Sequence, residues 1–355
     1  MKARTSTTLA LQQLKPAVLR TFHAALNAWY KAHGRHDLPW RQTDDAYEIW
    51  LSEVMLQQTQ VATVLARFYH PFLERFPTLE SLADAPRESV MKAWEGLGYY
   101  SRARFIHESA VKLHQEGHDS ITCENMVLIK GLGPYTKGAI KSFAFKEKAA
   151  AVDGNVLRVM SRLTLFEEDI SKITSRKEIE KRVLNSLPDE KPWEAMEALI
   201  ELGAQICKKN PLCTECPMVN QCLGFQENRH TLLPIKKKAP PITKLKRVVL
   251  VLKWQDRFLV KKAEKGRIMA DLYEFWWEEA DTIDLYLNGL SYEKLVPLPA
   301  VKHGFTRYEA TLIPYLIELK GSFSKPEYNW FTFEDLKKLP FAGGHREVLN
   351  SLHRV

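Results

Sequence analysis

Four of the five cysteines of this 355-residue chain fall within "CKKNPLCTECPMVNQC", Cys207 to Cys222, and that crowding restricts the local fold more than any other feature. The spacing is C-x5-C-x2-C-x5-C. Thiolates this close on a short loop hold either a structural zinc ion or an iron–sulfur cluster. A disulfide framework is disfavoured, because "MKARTSTTLALQQLKPAVLR" lacks the apolar segment of a secretory signal and a reducing compartment keeps thiols free. With no run of eighteen uncharged apolar residues, the chain reads as cytoplasmic, with no membrane partner. Residues 1–36 carry Lys and Arg but no Asp or Glu, as a mitochondrial transit peptide would. Helical periodicity already starting near Leu14 ranks that reading second. Cys123, the fifth cysteine, reads as a buried apolar residue in a helix.

A chain of this length exceeds one average core, so two domains are expected. The net charge of +8 is informative only through its location. Residues 1–228 carry 29 basic and 28 acidic groups, residues 247–355 carry 16 and 15, and "RHTLLPIKKKAPPITKLK", 229–246, carries 6 and none. That basic, proline-bearing stretch reads as a linker, either a solvated spacer or one lying along phosphates. Before it, apolar residues recur at helical spacing, as in Ile49, Trp50, Val54 and Leu199, Leu202, Ile206. After it, "RVVLVLKW", "RFLVKKA", "EATLIPYLIEL" and "YNWFTF" are rich in β-branched and aromatic residues, with "WQDR" as a hairpin turn and short helices at "TIDLYLNGL" and "HREVLNSLH". The expected fold is multidomain: an all-α domain over 1–228, a linker over 229–246 and an α+β domain over 247–355.

Upstream of the cysteines stands "LIKGLGPYTKGAI", Leu128 to Ile140. Gly131 and Gly133 permit a tight turn that leaves backbone N–H groups at the start of the next helix, where a DNA phosphate can bind; a plain helix–turn–helix connection is the alternative. This hairpin, the four-cysteine loop and the stretches "LPWR", "WLSEVMLQQTQV", "WEGLGYYSRAR", "AVDGNVLRV" and "EALIELGAQIC" together resemble the helix-hairpin-helix DNA glycosylases, and among them the adenine DNA glycosylases of the MutY type. The likeness is close from Leu38 to Cys222. It extends more loosely over the second half, which is similar to that family's Nudix-like domain.

The resemblance implies base excision from double-stranded DNA carrying A·8-oxoguanine or A·G, by a monomer. Cleaving the glycosidic bond takes an acid for the departing base and an anion for the cationic sugar. Glu53 is implied as the acid, protonating N7 of adenine. Its face of the helix also carries Ile49, Trp50 and Leu56, and burial there raises a carboxyl pKa. Asp153 is implied as the second carboxylate, oriented by Asn155, though an Asp before Gly and a helix also suits an N-cap. Tyr135 stands where related glycosylase/lyases have a Schiff-base lysine, which implies a monofunctional enzyme. Trp40, Arg41 and Glu197 are implied to line the adenine pocket, and Gln58 and Tyr99 to enter the base stack. Lys137 reads as a phosphate contact or a solvated charge.

For the cysteines the resemblance implies a 4Fe–4S cluster on Cys207, Cys213, Cys216 and Cys222, fixing a loop that presents Lys208 and Lys209 to phosphates. The family spaces the first two ligands by six residues and this chain by five, which keeps zinc as the alternative. In the second half, "KHGFTRYEA" stands in for the family's Phe-Ser-His loop. His303, Phe305, Thr306 and Arg307 are therefore implied in reading the base opposite adenine, with Thr and Arg replacing Ser and His. "GRIMADLYEFWWEEAD" lacks the Nudix catalytic pattern, so no pyrophosphatase activity is expected. The competing readings are a T·G mismatch glycosylase, an endonuclease III-like glycosylase/lyase, and a non-enzymatic iron–sulfur redox sensor on DNA.

Overall fold

The computed structural model describes residues 16–237, 241–264, 266, 268–279, 283–305 and 307–354. Its helices in order are α1 (Pro16–His33), α2 (Ala46–Leu56), α3 (Val61–Arg67), α4 (Tyr69–Arg75), α5 (Leu79–Asp84), α6 (Arg87–Ala93), α7 (Ser101–Gln115), α8 (Pro134–Phe143), α9 (Gly154–Leu163), α10 (Ile173–Ser186), α11 (Pro192–Gln205) and the single turn α12 (Leu223–Gln226). The second half supplies strands β1 (Thr243–Trp254), β2 (Arg257–Lys262), β3 (Tyr273–Glu278), β4 (Tyr292–Pro297), β5 (Val301–Phe305), β6 (Tyr308–Leu319) and β7 (Tyr328–Thr332). It also has helices α13 (Asp284–Leu287), α14 (Phe333–Lys338) and α15 (Gly343–Ser351). No helix among the described residues is long and apolar enough to cross a membrane.

Two compact units divide the chain: one runs to Gln57 and resumes from His118 to the linker, and the other comprises Gln58–Gly117 and everything after the linker. Compactness thus cuts the chain differently from the change of periodicity, which set the boundary at residue 228. Within the second unit, charged groups tie the segment from α3 to α7 to the chain that follows the linker, at the turn before β3 and at α15. Arg104 donates to the Ala270 carbonyl at 2.8 Å, and Arg346 grips Glu95 at 2.6 Å. Such partners lie too far apart in sequence for any periodicity to reveal.

In the first unit, the helix boundaries follow local chemistry. Asp45 caps α2 by accepting from the Tyr47 N–H at 2.7 Å, Pro134 and Pro192 occupy first-turn positions of α8 and α11, and Asp153 caps α9. The apolar stripes close on one core that includes Leu26, Ile49, Ala139, Val156, Ile179 and Leu199. Gly138 lets α8 approach the incoming chain: a Cβ there would stand 2.0 Å from the Ala150 carbonyl oxygen.

The linker is shorter than its composition predicts. Residues 229–237 are bound to the first unit: Leu233 is buried, its carbonyl accepts from Arg162 Nε at 3.0 Å, and the Ile235 carbonyl accepts from the Ile170 N–H at 3.0 Å. At the other end Thr243 already begins β1. Cys123 also departs from its reading. It lies in a turn before the 3₁₀ segment Asn125–Leu128, half-exposed, and its thiol donates to Glu147 Oε1 at 2.9 Å.

The sheet runs β4-β6-β1-β3-β2-β7, with β5 on β6; β1 and β6 are parallel and the remaining pairs antiparallel. The run "VVLVL" reads apolar throughout because both faces are covered: Val249 and Val251 join one core, and Val248, Leu250 and Leu252 the other. Trp254 pairs with Arg257, as the hairpin reading requires.

Candidate active site

Glu53 lies in α2, and Ile49 and Trp50, one turn earlier, are almost fully buried. Its own residue exposure is 6%. Burial lifts its carboxyl pKa to about 7, the Asp153 and Glu197 charges adding to the lift while the Tyr135 hydroxyl and Arg41 oppose it. That hydroxyl, from the first turn of α8, donates to Glu53 Oε2 at 2.6 Å. The Tyr135 pKa is raised well above its ordinary value by burial and by the Glu53 and Asp153 charges, so it remains a donor.

Asp153 is an N-cap that also accepts from the side chain of Asn155. Oδ1 accepts from the Val156 N–H at 2.7 Å as the α9 cap, and Oδ2 accepts from Asn155 Nδ2 at 2.7 Å. Burial raises its pKa against those hydrogen bonds. Asn155 is held in turn by Arg158, whose Nη2 donates to Asn155 Oδ1 at 2.8 Å and to the Gly203 carbonyl at 2.8 Å. Gly203 leaves room for this: a Cβ there would stand 2.6 Å from Asn155 Cβ. Arg158 Nε reaches on to the Cys207 carbonyl at 2.6 Å, so that one side chain joins the backbone of the cysteine loop to Asn155 and the Asp153 cap.

Trp40, Arg41 and Glu197, the residues implied to line an adenine pocket, are each buried or paired within the first unit. Trp40 is buried in a 3₁₀ turn, Pro39–Arg41. Arg41 pairs with the fully buried Glu201 at 2.8 Å, and Arg35 holds the other oxygen of that carboxylate at 2.6 Å. Glu197, one turn earlier on α11, accepts from the Tyr30 hydroxyl at 2.5 Å. Glu201, Arg35 and Tyr30 were not singled out from the sequence, and neither were Arg158 and Arg162. The available signal was Asn155, Arg158 and Arg162 recurring at three- and four-residue spacing on one otherwise apolar helix.

In the cysteine loop, Arg162 is 3% exposed. Its Nη1 lies 3.3 Å from Cys207 Sγ, and it donates to the carbonyls of Lys208 at 2.6 Å and Lys209 at 3.1 Å. Both lysine side chains are exposed. A small cavity of about 30 Å³ lies among the four cysteines.

Gly131 takes the left-handed φ of +74°, whereas Gly133 is extended at −71° and caps α8 with open space about its Cα. Lys137 is exposed on that helix. In the second unit, Gln58 and Tyr99 both adopt positive φ, 57° and 48°, and both are exposed. Such geometry costs a residue with a side chain about 1–3 kcal/mol. Tyr99, Gly98, His303, Phe305, Arg307 and Gly343 line a cavity of about 420 Å³. His303 stacks on Phe305 at 5.6 Å between ring centres, and Arg247, unremarked in the sequence, stands over the Phe305 ring at 5.6 Å. Arg307 is exposed and donates to the Tyr308 hydroxyl at 3.0 Å. Thr306 lies outside the described residues.

Residues 51–185 match the HhH-GPD superfamily base excision DNA repair protein model and residues 247–351 a NUDIX domain. A thermostable thymine-DNA glycosylase structure shares the fold with a TM-score of 0.52 at 24% identity, over 59% of this chain and 97% of that one. The adenine DNA glycosylase of Homo sapiens is 40% identical over 222 residues, 59% of this chain and 40% of that one. That of Buchnera aphidicola subsp. Baizongia pistaciae (strain Bp) is 35% identical over 258 residues, 72% of this chain and 73% of its own length. Similar along most of both chains to that relative, this chain belongs to the adenine DNA glycosylase family.

Proposed function

We propose that the protein is a monofunctional glycosylase that hydrolyses the N-glycosidic bond of adenine facing 8-oxoguanine or guanine in duplex DNA. The observation that carries this reading is the buried carboxylate pair with different surroundings, Glu53 under the Tyr135 hydroxyl and Asp153 in its cap. A carboxyl with pKa about 7 is part-protonated at neutral pH and can deliver that proton to N7 of an extruded adenine. The bond electrons leave with the base. Asp153, held as an acceptor by the Val156 N–H and Asn155, faces the developing positive charge on the sugar. Water then adds to the sugar and an abasic site remains, since Tyr135 brings no amine to form an imine.

Trp40, Arg41 and Glu197 enclose the base in this reading, and Gln58 and Tyr99 fill the gap left in the stack. Gly131, Gly133, Lys137, Lys208 and Lys209 hold phosphates. The 420 Å³ cavity beside Tyr99 and Phe305 is of the size to take the facing base. The protein acts as a monomer in the cytoplasm. The donor set of Cys207, Cys213, Cys216 and Cys222, four sulfur ligands lining one small cavity with the buried Arg162 guanidinium 3.3 Å from Cys207 Sγ, suits a 4Fe–4S cluster, which is the group we propose there. Bound there, the cluster would tie the four cysteines together and fix the loop that carries Lys208 and Lys209. Iron and sulfide analysis of anaerobically purified protein should find both; stoichiometric zinc without iron contradicts it.

Single-turnover assays on duplexes with A facing 8-oxoguanine, G or C, with T facing G, and with oxidised pyrimidines test the substrate. Adenine release from the first two pairs is expected, without borohydride-trapped imine. Thymine release alone, or a trapped imine, assigns the protein to a different glycosylase class.

A further inference from the structure

Glu95, in the segment between α6 and the Tyr99 turn, gathers an unusual number of donors. Its Oε1 accepts from the Phe341 backbone N–H at 2.9 Å and from Arg346 Nε at 2.6 Å; its Oε2 accepts from Lys92 Nζ at 2.6 Å and from Arg346 Nη2 at 3.1 Å. The Lys92 and Arg346 side chains also converge on the Leu339 carbonyl. The Glu95 side chain is 13% exposed and that of Arg346 18%, so the pair is largely withdrawn from water. A bidentate guanidinium–carboxylate pair of this kind fixes orientation as well as distance.

What the clamp holds on either side is the point. On one side the chain passes directly into Gly96 and Gly98, at φ of +96° and +76°, and then Tyr99. The turn is tied internally, Trp94 Nε1 donating to the Gly98 carbonyl at 3.1 Å and the Gly96 N–H to the Tyr100 hydroxyl at 3.1 Å. On the other side Phe341 and Arg346 flank the start of α15. There Gly343 and Gly344 lie so close to His303 that a Cβ on either would meet its side chain at 3.0 Å. His303 stacks on Phe305. Glu95 therefore connects the turn bearing Tyr99, through the start of α15 and His303, to the Phe305 loop, and both ends of that series line the same cavity.

We propose that Glu95 is a positioning residue for recognition of the base opposite adenine, fixing the Tyr99 turn against the Phe305 loop so that the cavity has one width. This rests on the reading that the cavity takes that base. A wall displaced by a fraction of an ångström discriminates poorly between guanine and its oxidised form, while Glu53 and Tyr135, both in the other unit, keep their own hydrogen bond.

The test uses the full-length protein, with affinity measured on duplexes holding a non-hydrolysable adenine analogue opposite 8-oxoguanine or guanine, and saturating single-turnover rates on the cleavable counterparts. Wild type is expected to bind the 8-oxoguanine duplex more tightly. In Glu95→Gln that preference should shrink roughly ten-fold or more, with the saturating rate within about two-fold of wild type. Arg346→Lys, which keeps one charged contact, should retain most of the preference. An unchanged preference in Glu95→Gln overturns the proposal. So does a parallel loss of preference, rate and melting temperature in both variants, which would make the clamp structural only. A wild type with no preference at all instead defeats the underlying reading of the cavity.

Discussion

The Tyr135 hydroxyl donates to Glu53 Oε2 at 2.6 Å, and this hydrogen bond opposes the burial that lifts the Glu53 pKa to about 7. The donor favours the ionised carboxylate, so Tyr135 keeps the acid from holding its proton too firmly.

Removing the donor moves the titration in a defined direction. In wild type the single-turnover rate should fall as pH rises through about 7, where Glu53 loses its proton. In Tyr135→Phe the falling limb should move to higher pH, by roughly one unit for a hydrogen bond to a charged group. A limb that stays in place, or moves down, contradicts the assignment.

The same group links stability to pH. The folded-state pKa of Glu53 is raised above its unfolded value near 4.5, so its contribution is fully present below 4.5 and is lost as pH rises through about 7. Glu53→Gln has no charge to bury. Relative to wild type it should therefore melt higher at pH 8 than at pH 5, with a difference on the order of 3 kcal/mol between the two conditions. Thermal melts of both proteins across that range decide it; a constant offset shows that Glu53 does not titrate there.

Arg158 carries the connection from the Cys207 carbonyl to Asn155 and the Asp153 cap. Arg158→Met leaves three acceptors without this donor, and the saturating rate of adenine release should fall about ten- to a hundred-fold. Bound iron is expected to be retained, since none of the four cysteines is altered. A wild-type rate in a folded variant would rule out a role for this connection.

Gly138→Ala forces a Cβ against the Ala150 carbonyl at the contact that brings Tyr135 and Asp153 together. Backbone must move, so the variant should lose roughly 1–3 kcal/mol and some activity with it. Denaturant unfolding measures the first; stability equal to wild type means that α8 is not seated as described.

The local structure around Glu53 and Asp153 was legible from local signals, whereas their roles came from the family resemblance. Glu53 follows Ile49 and Trp50 by one turn, so helical periodicity alone placed it on an apolar face. Asp153 before Gly154 announced a cap. Partner choice was not legible. Glu197 and Glu201 are four residues apart on α11, and nothing in the sequence tells which of them faces Arg41; the structure gives it Glu201 and gives Glu197 to Tyr30. Positive φ at Gln58 and Tyr99 was hidden as well, because neither residue is a glycine. The grouping of the segment from α3 to α7 with the chain after the linker shows in pairs such as Arg104 with Ala270, distant in sequence and without any period. The basic segment 229–237 looked like a spacer by composition, yet its backbone meets Arg162 and Ile170, partners that charge counting does not see.

The central claim is that Glu53 supplies the proton on which adenine departure depends. Single-turnover release of adenine from a duplex with A facing 8-oxoguanine, by wild type and by Glu53→Gln at saturating enzyme, tests it most directly. The account predicts release by wild type and a rate at least about 10²-fold lower in the variant, with duplex affinity largely preserved. Equal rates in the two proteins, or no adenine release from wild type, would contradict it.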